Sequence, residues 1–96
     1  MELFVFARFH AREGQEAAVA AALRDVAGPS RAEPGCLALA DYRSIRDPRL
    51  FYVHSRWTDE AAFETHARLP HIVQFLERVQ PLIDHPLDVT RARPLE

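Results

Sequence analysis

Hydrophobic residues along this chain change their spacing at intervals, and each change marks a boundary between elements. LFVFARF (Leu3 to Phe9) is dense in aromatic and β-branched residues and predicts a strand. After the polar break HAREG, the stretch QEAAVAAALRDVA places Val19, Ala22, Leu23 and Val26 at i, i+3, i+4 and i+7, the spacing of one helix face. Gly28 and Pro29 predict its end. EPGC is a turn, CLALADYR (Cys36 to Arg43) a second strand, IRDPR a further turn, and LFYVHSRW (Leu50 to Trp57) a third strand of high β-propensity. Thr58 or Asp59 then caps a helix whose acidic first turn suits the positive end of the helix dipole. Pro70 interrupts that helix and sits well as the first residue of a new segment, in which Ile72, Phe75, Leu76 and Val79 repeat the core-facing spacing. Pro81 and Pro86 close it, and LDVTRAR (Leu87 to Arg93) predicts a last strand.

The order βαββαβ is the ferredoxin-like plan, an α+β subunit with a four-stranded antiparallel sheet and both helices on one face. One domain, residues 1–96, accounts for the whole chain. A sheet with one solvated face should alternate apolar and polar residues. The first strand does not: Leu3, Val5 and Phe9 lie on one side, Phe4 and Phe6 on the other. The third strand likewise sets Phe51, Val53 and Trp57 opposite Leu50 and Tyr52. Helices cover only one side, so the pattern predicts a homodimer joined through its sheet faces.

Composition narrows the chemistry mainly by exclusion. Hydrophobic residues make up 48% and charged residues 27%, the balance of a globular domain. No apolar run approaches the roughly 20 residues that span a bilayer, which predicts a cytoplasmic protein without membrane contact. A net charge of -2 with scattered arginines predicts no nucleic-acid partner. The single cysteine, Cys36, fits a reducing compartment. There is no lysine, so lysine Schiff-base chemistry is excluded, and three glycines cannot write a dinucleotide fingerprint or a P-loop.

Candidate chemistry concentrates in WTDEAAFETHARLPH, Trp57 to His71. On a helix starting near Asp59, Ala62, Phe63, His66 and Ala67 share one stripe, which aims His66 at the sheet. Five residues separate His66 from His71, against the i, i+4 spacing of a zinc-binding helix, so metal ligation by the pair is disfavoured unless the break at Pro70 turns His71 to the same space. Trp57, Ser55 and Val53 share a side of the third strand. With Phe63 they outline a mostly apolar substrate pocket, in which a neutral His66 would act as general base, since its unperturbed pKa is about 6.5. The plain alternative makes His66 a half-buried imidazole bonded to a backbone carbonyl, His71 a first-turn residue and Trp57 core.

EPGCLAL (Glu33 to Leu39), DPRLFYVHSRW and AAFETHARLPH resemble the signature blocks of the antibiotic biosynthesis monooxygenase family, a branch of the dimeric α/β barrels. The most specific part is Trp57, with His66 nine residues later and Pro70 and His71 four and five residues after that. The resemblance implies a ferredoxin-like subunit pairing sheet to sheet, and a pocket more firmly than one reaction, since members include cofactor-free oxygenases, haem-degrading enzymes and an isomerase. The chain departs from the family pattern at Ser55, where a Glu is frequent, at Leu39, where a Tyr is frequent, and at Val53, where the aromatic oxygenases place an Asn. Having no asparagine, and Ala7 where the haem-degrading branch places one, sets it apart from that branch.

The expectation is a cofactor-independent monooxygenase that oxidises an electron-rich aromatic, a quinol or anthrone, with dioxygen. His66 and His71 are its candidate catalytic residues, Trp57, Phe63, Val53 and Ser55 line the substrate, and no cofactor or metal is called for. An acid-base isomerase using the same histidines, and a non-catalytic dimeric module for a small ligand or a stress response, are the alternatives.

Overall fold

The structure is a computed structural model that describes residues 1–96. Its elements are β1 (Leu3–His10), α1 (Glu16–Arg31), β2 (Cys36–Arg43), β3 (Leu50–Trp57), α2 (Glu60–Arg68), α3 (Pro70–Val79), a short 3-10 turn at Gln80–Leu82, and β4 (Asp88–Ala92). The strands form one antiparallel sheet in the order β2-β3-β1-β4. This is the ferredoxin-like α+β arrangement, with the second helix divided in two. No helix is long and apolar enough to cross a membrane.

Strand alternation decides which side chains meet the helices. Phe9 of β1 and Phe51 of β3 are buried against α1 and α3, and Leu3 and Val5 of β1 with Trp57 of β3 are buried against Ala62 and Phe63 of α2, while Phe6 and Tyr52 point to the other side and stay 49% and 40% exposed. Val19, Ala22 and Leu23 of α1, and Ile72 and Val79 of α3, close the core from above as their spacing requires. On the uncovered face His54 lies against Phe6, with ring centroids 4.8 Å apart.

Two boundaries differ from expectation. α1 does not stop at Gly28 and Pro29 but continues to Arg31. Proline withholds one N–H from the carbonyl four residues back. That loss falls in the last turn, where Ala27 and Ser30 are both buried, and packing of the turn outweighs it. β2 carries a bulge between Cys36 and Ala38, so Cys36 opposite Trp57 and Leu39 opposite Ser55 face the same side despite being three residues apart.

The far end of the sheet is tied by polar groups. The His10 ring lies 2.7 Å from Asp84 and 2.9 Å from Asp47, and Arg49 reaches Asp84 at 3.2 Å. The hydrogen bonds to Asp84 and then Asp47 hold the His10 imidazole above its ordinary pKa. The end that carries Trp57 is tied by shape. The Thr58 N–H donates to the Gly35 carbonyl at 3.0 Å, and a Cβ on Gly35 would stand 2.5 Å from the Ala62 Cβ of α2. The turn before β2 therefore touches α2 through a position that tolerates no side chain.

Gly35→Ala is expected to destabilise the fold by about 1–3 kcal/mol, the usual penalty of overpacking. Gly28→Ala, where a Cβ meets nothing within 4 Å, should be neutral or stabilise by about 0.5–1 kcal/mol through helix propensity. Urea midpoints of the two variants check the contrast.

Candidate active site

The contact between the Gly35 turn and α2 brings three side chains from three elements together. Glu33 stands at the start of that turn, its N–H donating to the Ser30 carbonyl at the end of α1 and its own carbonyl accepting from Cys36. His66 lies in the last turn of α2, which starts cleanly because the Asp59 carboxylate accepts from the Ala62 N–H at 2.8 Å. Leu69 then adopts an extended conformation, φ -69° and ψ 146°, as the residue before a proline must. That break swings His71, in the first turn of α3, back toward the same space. The Glu33 Oε2 accepts from His66 Nδ1 at 2.7 Å and from His71 Nε2 at 2.8 Å.

A carboxylate oxygen only accepts, so each imidazole in its neutral form carries its proton on the nitrogen facing Glu33. His66 Nε2 and His71 Nδ1 are left with free lone pairs. Burial pushes the His66 pKa below its ordinary value, and the charge of His71 adds to that, while the hydrogen bond and charge of Glu33 oppose both. The result is an oriented, neutral base. The donor atoms of Glu33, His66 and His71 all lie within 4.8 Å of one another and are of types that bind zinc or iron. Their spacing is that of hydrogen bonds, with the oxygen between the two nitrogens. Holding an ion about 2.0–2.2 Å from all three would require the imidazoles to turn toward each other.

His66 faces a cavity of about 260 Å³ between the sheet and the helices, 14 of whose 18 lining residues are hydrophobic. Its polar side chains are therefore conspicuous: Ser30, Asp41, Ser55 and His66. Ser55 Oγ accepts from Trp57 Nε1 at 2.9 Å. Ser30 Oγ has no partner although the residue is 1% exposed, an omission that costs about 1–3 kcal/mol when nothing fills it. Burial pushes the Asp41 carboxyl above its ordinary pKa, with Arg31 and Arg24 opposing.

Of the residues picked out in the sequence, Val53, Ser55, Phe63 and His66 line this cavity. Trp57 does not. It is fully buried behind them, its ring 4.4 Å from that of His66 and 5.6 Å from that of Phe63. His71 lies on the other side of Glu33, beside an outer cleft with Asp25 and Arg78. Sequence reasoning missed Glu33, which it treated as part of a turn. A turn carboxylate gives no periodic signal, and only the chain crossing that sets the Gly35 turn against α2 brings it between the histidines. It also missed Ser30 and Asp41, although Asp41 alternates with Leu39 on one side of β2.

Comparison with known proteins bears on the family and the fold. The family model of antibiotic biosynthesis monooxygenase matches residues 3–78. A Mycobacterium tuberculosis protein named "Putative monooxygenase Rv0793" is 32% identical over 92 residues, covering 96% of this chain and 90% of that one. Its solved structure superposes with a TM-score of 0.93 at 29% identity, over 100% of this chain and 97% of that one. The crystal structure of PA3566 from Pseudomonas aeruginosa gives a TM-score of 0.91 at 30% identity, over 99% and 95%. A Synechocystis protein, sll1783, which is uncharacterised, is 30% identical over 61 residues, which are 64% of this chain and only 42% of that longer one.

His66 should titrate below about 6.5 when followed by NMR of its ring protons, and lower still in Glu33→Gln, which removes the opposing charge. The unfolded chain protonates His66 first as pH falls. Stability linked to this group is therefore present above about pH 6.5 and is lost as pH falls from there through the depressed folded pKa. Glu33→Ala, which strands two imidazole N–H groups, should lower stability by about 1–3 kcal/mol in denaturant melts.

Proposed function

The chain belongs to the antibiotic biosynthesis monooxygenase family, and on that footing we propose that it oxidises an electron-rich aromatic, a quinol or anthrone, with dioxygen and without a cofactor. The observation that carries this reading is His66, oriented by Glu33, at the wall of an apolar cavity. His66 Nε2 removes a phenolic or ring C–H proton. The resulting anion passes one electron to dioxygen, and the radical pair combines to a peroxide on carbon. The peroxide takes up the proton held by His66. In an anthrone the second C–H proton leaves with the O–OH bond cleavage, forming a carbonyl and one water, so that one oxygen atom enters the product. Each electron comes from the substrate, so the step itself calls for no redox group.

The surrounding residues fit these demands. Phe63, Val53 and the other apolar walls hold a ring and exclude bulk water, which favours the neutral base. Glu33 is a positioning residue that fixes the tautomer, and His71 supports Glu33 from outside the cavity. An acid-base isomerase would use the same His66 base, and its orientation by the Glu33 carboxylate supports that second reading equally. We also infer a cytoplasmic homodimer that covers the face carrying Phe6 and Tyr52, with no nucleic-acid partner and no membrane contact.

Oxygen-electrode assays against quinols and anthrones should show uptake that falls by about 10²–10⁴-fold in His66→Ala, the usual contribution of a general base. Uptake unchanged in that variant removes His66 from the chemistry, and turnover under strict anaerobiosis favours the isomerase. The acid limb of the kcat/KM profile should move to lower pH in Glu33→Gln, because the carboxylate raises the His66 pKa. Light scattering should find a dimer for the native chain and a monomer for Phe6→Glu, which sets a charge on the exposed face.

A further inference from the structure

The three side chains that meet at Glu33 carry a chemistry that the oxygenase reading does not use. His66 Nδ1, His71 Nε2 and a Glu33 carboxylate oxygen lie within 4.8 Å of one another, on a turn and two helices. Two imidazoles and one carboxylate suit divalent transition ions, whereas magnesium and calcium prefer oxygen alone. The i, i+4 spacing of a zinc-binding helix is absent, and the break at Pro70 takes its place. His71 opens a new helix and returns to the oxygen that His66 already holds.

We propose that Glu33, His66 and His71 form a capture site for a divalent transition ion, zinc foremost, and that the ion switches His66 from base to donor. The capture site stands apart from the oxygenase reading, and the switch rests on it. With protons in the centre, each neutral imidazole turns its N–H to Glu33. An ion in their place takes the lone pairs of His66 Nδ1 and His71 Nε2, so the proton of each ring moves to its opposite nitrogen and none is gained or lost overall. His66 Nε2 then presents an N–H to the cavity instead of a lone pair.

The adjustment required is small. Donors round a tetrahedral ion with bonds of about 2.0–2.1 Å stand roughly 3.3 Å apart. The two oxygen–nitrogen distances, 2.7 and 2.8 Å, each open by about 0.5 Å, and the two nitrogens close by at most about 1.5 Å. The imidazole rings lie edge to face at 66°, an arrangement in which both can turn a nitrogen to one point. His71 has room to turn, since its side chain is 28% exposed and borders the outer cleft. That cleft gives an ion a path from solvent that avoids the substrate cavity. Its arginine, Arg78, is paired with Asp25 at 2.8 Å, and the charge at the centre itself is the Glu33 carboxylate, which favours a cation.

Isothermal titration calorimetry of chelator-treated protein with zinc chloride tests the site, with cobalt(II) as a spectroscopic probe. The native chain should take up one zinc ion, cobalt should give visible bands that zinc then abolishes, and magnesium should not compete. Glu33→Gln and His71→Ala should each weaken zinc binding about a hundredfold or more, since losing a ligand costs at least as much as losing a group that supports one. His71→Ala changes the most exposed of the three side chains and serves if Glu33→Gln does not fold. His85→Ala, which alters the polar cluster around His10 and Asp84 at the far end of the sheet, should leave binding unchanged. NMR of the His66 ring nitrogens should find the proton on Nδ1 without zinc and on Nε2 with it. No zinc uptake, or an affinity that survives in both Glu33→Gln and His71→Ala, overturns the capture site, and Nδ1 still protonated at saturation overturns the switch. Saturating zinc should also abolish His66-dependent oxygen uptake, and uptake that persists overturns the switch. Zinc binding without oxygen uptake by the chelator-treated protein removes the oxygenase and leaves the capture site standing, so the two readings fail separately.

Discussion

Glu33 sets one carboxylate oxygen between two imidazoles that belong to different helices, and the geometry of this end of the molecule depends on that shared acceptor. Its side chain is 10% exposed, so the two hydrogen bonds form where water offers little competition. They join the turn before β2 to the end of α2 and the start of α3. Removing the acceptor would leave one buried and one half-buried donor unpaired, a loss that falls on three elements at once. The close approach of Gly35 to Ala62 is what lets the turn reach that position.

The same carboxylate balances the electrostatics of the cavity. An apolar wall disfavours a charged imidazole, and the nearby anion favours one. Burial has the larger effect on His66, which keeps it neutral, while Glu33 keeps it basic and fixes which nitrogen faces the cavity. Trp57 contributes from behind. Its indole N–H is satisfied by Ser55, so the ring is buried at no polar cost and presses His66 forward. Ser55 supplies a small acceptor that leaves the cavity wall largely apolar.

Much of the fold was legible in the residues. The alternation of β1 and β3 identified both faces of the sheet, and the i, i+3, i+4 spacing identified the buried sides of α1 and α3. Pro70 marked the divided helix. The errors lie where tertiary packing outweighs a local preference: α1 runs through Gly28 and Pro29 because Ala27 and Ser30 are held in the core. The bulge after Cys36 had no signal in the sequence, since it is defined by a partner strand.

By itself the sequence determined the order of the elements, the one-sided helices, the aromatic residues on both faces of the sheet, and the placing of His66 on the inward stripe of its helix. Each is a local property, carried by residue spacing and by the preferences of proline and β-branched side chains. Only the tertiary structure decided that Glu33, His66 and His71 share one hydrogen-bonded centre, that Trp57 stands behind the cavity wall, and that Ser30 and Asp41 look into the cavity. Those relations join residues from the ends of different elements. Nothing in the spacing along a chain specifies how the turn between one helix and one strand will meet the break between two other helices.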